Sequence, residues 1–220
     1  MFDRLRKLFG KTNHRKPDPD GKAAEEWYEH KSRLMEELLG PEHDMVMHAI
    51  IPYAVGGGLD LYYFPHRIAG TAVATKELSE LPDEGSSNRS FSCYELAMFT
   101  RHALNLDEAH NQETAFGKAH ANIHAIMNIV ALYSATASLN PNETCEFPAE
   151  MPSVGGKCLI FDDYGSRADE TVRRFGILAV IEVFRSEMDF ARRHGGAQLI
   201  AKLKSAGYYP YSELDREAVA

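Results

Sequence analysis

Three cysteines in 220 residues, Cys93, Cys145 and Cys158, are odd in number, and no two stand in a CxxC pair. That excludes a disulfide framework and a zinc ribbon, and makes a reducing, cytoplasmic compartment the simplest expectation. Apolar runs are short: none approaches the eighteen or so residues of a membrane span, and the N-terminus lacks the apolar core and small-residue cleavage site of a secretory signal. Basic residues are outnumbered, 24 Lys and Arg against 32 Asp and Glu, for a formal charge of −8. A phosphate-binding face needs clustered cations to displace counterions, so nucleic acid is not an expected partner. Nucleophile and nucleotide motifs are missing too. There is no G-x-S-x-G elbow, and Gly56-Gly57-Gly58 lacks the Lys-Ser/Thr ending and the following helix of a phosphate loop.

What remains is the composition of an ordinary globular chain, 44% hydrophobic and 25% charged, long enough to bury a full core. Residues 1–21 separate themselves as a flexible basic tail. Phe2, Leu5, Leu8 and Phe9 recur at helical spacing, Arg4, Arg6, Lys7 and Lys11 fill the other side, and Pro17-Asp18-Pro19-Asp20 isolates the segment. It is too short for stable membrane anchoring. From Lys22 to Leu39 an apolar stripe including Trp27, Leu34 and Leu38 predicts an amphipathic helix closed by Gly40-Pro41.

A β-rich block follows, with strands expected near 45–53, 58–65, 70–78 and 91–101, separated by Gly and Pro punctuation. A long helix over 114–138 carries Phe116, Ile123, Ile126, Met127, Val130 and Tyr133, and Asn140-Pro141 ends it. Strands are expected at 157–161 and 177–184. Ser186, three residues before Asp189, reads as a capping box opening a short helix that Gly195 and Gly196 close, and 197–206 makes the last helix. The pattern predicts a single α+β domain, a mixed β-sheet with packed helices, over 22–207, with 208–220 as a C-terminal tail.

Four segments in order, LDLYYFP, GTAVATKEL, YELAMFTR and GILAVIEVFRSEMDFARRHGGAQLIAKLKSAG, resemble the suppressor of fused-like domain family in its short, bacterial-type form. The resemblance implies a non-catalytic protein-binding module without cofactors, whose partner is a peptide or a toxin domain. Bacterial members are similar to immunity proteins of toxin systems, which implies neutralisation of a toxin by binding. A homodimer in which Gly207-Tyr208-Tyr209-Pro210-Tyr211 packs on its neighbour is compatible with that role.

Within the β-rich block Asp60 and Glu95 stand where apolar residues are expected. An isolated buried charge costs several kcal/mol, so each acid must be paired. One reading makes them register pins, with Lys76 and Arg101 as candidate partners. The other makes them part of a polar hole that, with Tyr62, Tyr63, Thr71, Thr75, Glu77 and Arg101, accepts a partner's side chains.

The enzymatic alternative is a small metal-dependent hydrolase using His120 and His124, four apart on the long helix, or Asp162 and Asp163 after a strand. The HExxH glutamate is absent, since Ala121 occupies its position, and a third ligand would have to come from His43, His48 or His110. Glu42-His43-Asp44 reads as a solvated turn, and Cys93, inside a strand, as a small buried hydrophobe. The expectation is therefore no metal site.

Overall fold

The computed structural model describes residues 21–53 and 56–220, so the basic segment 1–20 lies outside the described residues. Helix α1, Lys22–Leu39, buries Trp27, Leu34, Met35, Leu38 and Leu39 on one stripe. It stops at Gly40, whose φ of 88° suits glycine and where an added Cβ would stand 3.1 Å from the Arg67 Cβ. Strands β1 Val46–Met47, β2 Leu61–Phe64, β3 Thr71–Ala74 and β4 Cys93–Thr100 come next. Helix α2, Ala115–Ser134, is capped by Thr114, whose hydroxyl accepts from Gly117 N at 3.1 Å. Strands β5 Thr144–Glu146, β6 Cys158–Arg167 and β7 Phe175–Val183 then precede α3 Arg185–His194 and α4 Gly196–Ser205.

Among the described residues the strands form one seven-stranded sheet, ordered β1-β2-β3-β4-β7-β6-β5. Every pairing is antiparallel except β4 with β7, in which Cys93 pairs Phe175 and Ala97 pairs Ala179. Each residue of β4 and β7 is buried, because helices cover both faces and a strand covered twice reads as a continuous apolar run. On one face Phe64, Ala97, Phe99, Ile177 and Ile181 meet α1, α3 and α4. On the other, Tyr63, Leu96, Met98, Leu178 and Val180 meet α2. At Gly176 a side chain would collide with the Phe91 ring, 2.3 Å from where its Cβ would stand, so glycine is required for that approach. The architecture is the α+β single mixed sheet that the pattern predicts.

Strand β5 has no counterpart in the sequence reading, the strand expected over 70–78 is limited to Thr71–Ala74, and three further elements differ. The strand expected over 45–53 is reduced to Val46–Met47, because the chain turns back on itself: Gly57 N donates to Pro52 O and Gly58 N to Ile51 O. The strand expected over 157–161 runs on to Arg167 through Asp162 and Asp163, whose charges are met by Lys204 at 3.2 Å and Arg174 at 3.2 Å. The acid that closes the first turn of α3 is Glu187 rather than Asp189. Its carboxylate accepts from Phe184 N at 2.9 Å, and Ser186 lies inside the helix.

Candidate functional site

Glu95 sits in the middle of β4 and faces α1, where alternation puts it on the same side as Cys93 and Ala97. It is wholly buried. Lys31, on the buried stripe of α1, donates to its Oε1 at 2.9 Å and also to the carbonyls of Lys76 and Ser79. Ser79 N and Oγ add donors to Oε1 at 3.1 and 3.0 Å, and Thr75 Oγ1 donates to Oε2 at 2.6 Å. Trp27 Nε1 closes the cluster on Ser79 O at 3.0 Å. A carboxylate with this many donors is satisfied within the protein, and through Lys31 it ties α1 to β4 and to the segment that follows β3.

Lys76 belongs to the same wall and not to Glu95. Its ammonium lies over the Tyr28 and Tyr62 rings at 5.0 and 4.6 Å, donates to Ser32 Oγ and pairs with Glu42. Of the eight residues singled out in sequence, Tyr62, Tyr63, Thr71, Thr75 and Glu95 are buried and offer a partner no surface. Thr71 Oγ1 donates to His102 O, and the Tyr63 hydroxyl bonds His120 Nε2 at 2.8 Å.

Asp60, Glu77 and Arg101 retain partial exposure. Asp60 organises the turn after β1: its Oδ2 bonds His48 Nδ1 at 2.6 Å and its Oδ1 accepts from Ala49 N at 2.8 Å. Glu77 Oε2 in turn accepts from Asp60 N at 2.9 Å, and burial pushes the Glu77 carboxyl above its ordinary pKa. Arg101 lies at the far end of β4, its guanidinium over Tyr208 and Tyr211.

The two histidines of the long helix lie in apolar surroundings. His120 is buried among Tyr63 and Phe116, and burial lowers its pKa and that of His124. Among the described residues no group of three or more His, Cys, Asp or Glu side chains is placed to hold a metal ion. Burial pushes the Cys93 thiol up to about 11, the opposite of an activated nucleophile. An open groove of 530 Å³ at the ends of β2 and β4, lined by His43, His66, Leu104, Leu106 and Asp107, gathers no buried charge. No described helix is long and apolar enough to cross a membrane.

Two features escaped the sequence reading. Glu182 is a third acid within an apolar strand, held by Asn122 Nδ2 at 2.6 Å and Lys157 Nζ at 2.8 Å; the signal that marked Glu95 marks it equally. The second is a set of exposed large apolar side chains on the segment around β1 and the end of α2. Ile50 is fully exposed, and Met45, Ile51, Leu132 and Tyr133 are each more than half exposed. Tyr53 Oη donates to Ala131 O at 3.0 Å and Leu59 N to Asn128 Oδ1 at 2.9 Å, which ties the segment after β1 to the last turns of α2.

No family model matches the sequence, and no curated protein is similar to it. Solved structures do match. The chain is similar to one described as the Sufu-Fu complex crystal structure, with 14% identity, a TM-score of 0.55 and 93% of each chain covered. It is also similar to the crystal structure of Drosophila Suppressor of Fused, with 17% identity and a TM-score of 0.57, covering 92% of this chain and 52% of that one. The chain thus has the fold of Suppressor of Fused structures, and spans about half the length of the Drosophila protein.

Proposed function

We propose that this chain is a non-catalytic protein-binding module whose partner docks on the edge formed by Met45, Ile50, Ile51, Leu132 and Tyr133. The observation that carries the reading is this set of large apolar side chains open to solvent, while the buried Glu95 carboxylate is already met by donors of the chain itself. The fold supports it, since one of the similar structures is itself a complex of two proteins. Asp60 serves the surface indirectly by fixing the turn that presents Ile50 and Ile51. The finer role is that of an immunity protein that neutralises a toxin by binding it in the cytoplasm of a bacterium.

A photo-crosslinking residue at Ile50 or Tyr133 of the full chain, introduced in the native cell, tests this. A single covalent partner is expected at both positions and none at the exposed Glu217. In reconstitution with that partner, the Ile50→Asp, Ile51→Asp double variant should lose affinity by about tenfold or more, 1.4 kcal/mol, at unchanged melting temperature. Crosslinking that is equal at all three positions, or an unaltered affinity, would place docking elsewhere.

A further inference from the structure

The parallel β4–β7 ladder ends at Ala97 and Ala179, although β4 continues to Thr100 and β7 to Val183. Extending the register by two residues would set Phe99 opposite Ile181. In a parallel ladder Phe99 O would then accept from Glu182 N, and Phe99 N would donate to Val180 O. Both strands turn those groups toward each other, as Arg174 O of the same parity does in accepting from Ser92 N. Neither ladder bond forms. Ser212 stands in the gap instead: its N–H donates to Phe99 O at 3.0 Å, its hydroxyl accepts from Glu182 N at 3.3 Å and lies 3.4 Å from Val180 O. One step further, Arg101 N donates to Glu213 Oε1 at 3.1 Å. Ser212 is therefore set between two strands of the sheet and takes the place of the bonds that closure would make, with the rest of residues 208–216 laid against the core on either side of it.

Two further observations set this segment apart from the rest of the core. It is latched at its far end by Arg216, whose guanidinium makes two bonds to the buried Glu187 carboxylate, at 2.6 and 2.8 Å. Yet its seat is incompletely satisfied: Arg101 Nη2, Glu213 Oε2 and Arg216 Nε are buried without hydrogen-bond partners. Buried, unpaired polar atoms cost free energy that release of the segment recovers.

We propose that the β4–β7 split is an exchangeable peptide slot, filled here by the chain's own residues 208–216. It admits a partner segment of the same chemistry: extended, with a Ser or Thr hydroxyl to bridge the strands and an arginine four residues on to reach Glu187. The chain's C-terminal segment is then an intramolecular competitor that sets how readily the slot opens. This rests on the reading of the chain as a protein-binding module, and adds a second surface to it.

The test uses full-length protein and a fluorescein-labelled peptide of residues 207–220 as the probe. The control peptide carries Ser212→Val and Arg216→Ala. The parent should bind the probe saturably, the Arg216→Ala protein at least about tenfold more tightly, and neither should bind the control. Saturating probe should also restore the melting temperature of Arg216→Ala. Absence of saturable binding to the parent, an Arg216→Ala affinity no better than the parent's, or equal binding of the control would overturn the proposal and leave the segment purely structural. If Arg216→Ala does not fold alone, refolding it with probe or control replaces the titration. Recovery with the probe only supports exchange; recovery with neither, or equally with both, overturns it. The assay needs no natural partner, so its failure is distinct from a failure of crosslinking at Ile50.

Discussion

Two ion pairs among the described residues are buried on both sides, and they differ in how completely they are solvated by protein. Lys31–Glu95 joins α1 to β4 and to the segment that follows β3, and both carboxylate oxygens and the ammonium have several partners. Arg216–Glu187 joins the C-terminal segment to α3. Its Glu187 is well supplied, by Phe184 N and Val219 N as well as Arg216, but Arg216 Nε is left over. The first pair lies between two regular elements that cannot part without opening the core. The second lies between a helix and a segment without regular structure, which can part by moving only itself. We read the first of these buried charges as a register pin and the second as a latch.

Breaking the first pair should have the largest effect. Lys31→Met leaves Glu95 buried without its cation, and stability by urea unfolding should fall by about 3–5 kcal/mol. Arg216→Ala should cost less, about 2 kcal/mol, because the freed segment lets water reach Glu187. Equal losses would erase the distinction between pin and latch.

Acid sharpens the same contrast. Burial by itself would raise the Glu187 carboxyl, but the Arg216 guanidinium and the Val219 and Phe184 N–H groups hold it below its ordinary value of 4.5. A carboxyl with a folded pKa below the unfolded one stabilises the fold above about pH 4.5, and that stabilisation is lost as pH falls through the folded value. The stability gap between parent and Arg216→Ala, measured by urea unfolding at several pH values, should therefore narrow as pH drops below about 4.5. A gap that stays constant would mean that Arg216 acts by packing over Phe184 and Tyr208 and not through Glu187.

The α1 pair was legible in sequence as half a pair. Glu95 stands out in CYELAMFT because an acid interrupts an apolar strand, and that demands a buried partner. Lys31 does not stand out, because a lysine on an amphipathic helix reads as solvated until the register of α1 on the sheet is known. Elements with strong periodicity, α1, α2, β4 and β7, were read to within a few residues. The turn after β1 was not, because His48 to Tyr53 is as apolar as a strand, and what bends it is the Asp60 side chain and two glycine N–H bonds from further along the chain. Ser212 and Arg216 carry no local signal either: a Tyr-rich segment followed by mixed charges reads as a tail, and only the end of the β4–β7 ladder reveals a place for it.

The opposite sheet face gives a smaller effect. Tyr63→Phe removes the hydroxyl bonded to His120 and leaves the stacked rings in place. The loss should be about 1 kcal/mol, since His120 is then buried with one fewer partner. Metal bound by the parent and lost in that variant, measured on purified protein, would instead support the hydrolase reading.

The smallest effect on stability, and the most informative for function, is expected at Ile50. Its side chain makes no buried contact, so Ile50→Ser should shift unfolding by less than about 0.5 kcal/mol. If the apolar edge is where a partner docks, the same change should weaken partner binding by about tenfold, because a fully desolvated aliphatic anchor near the centre of an interface carries a disproportionate share of its energy. The charge-neutral substitution is chosen to keep Asp60 and His48 undisturbed, so a loss of binding reports on the apolar contact and not on the turn. Arg216→Ala provides the contrasting case, since it loosens the sheet's other opening without touching this edge. A partner lost with Ile50→Ser and kept with Arg216→Ala uses the edge; one lost only with Arg216→Ala, or gained by it, uses the split between β4 and β7.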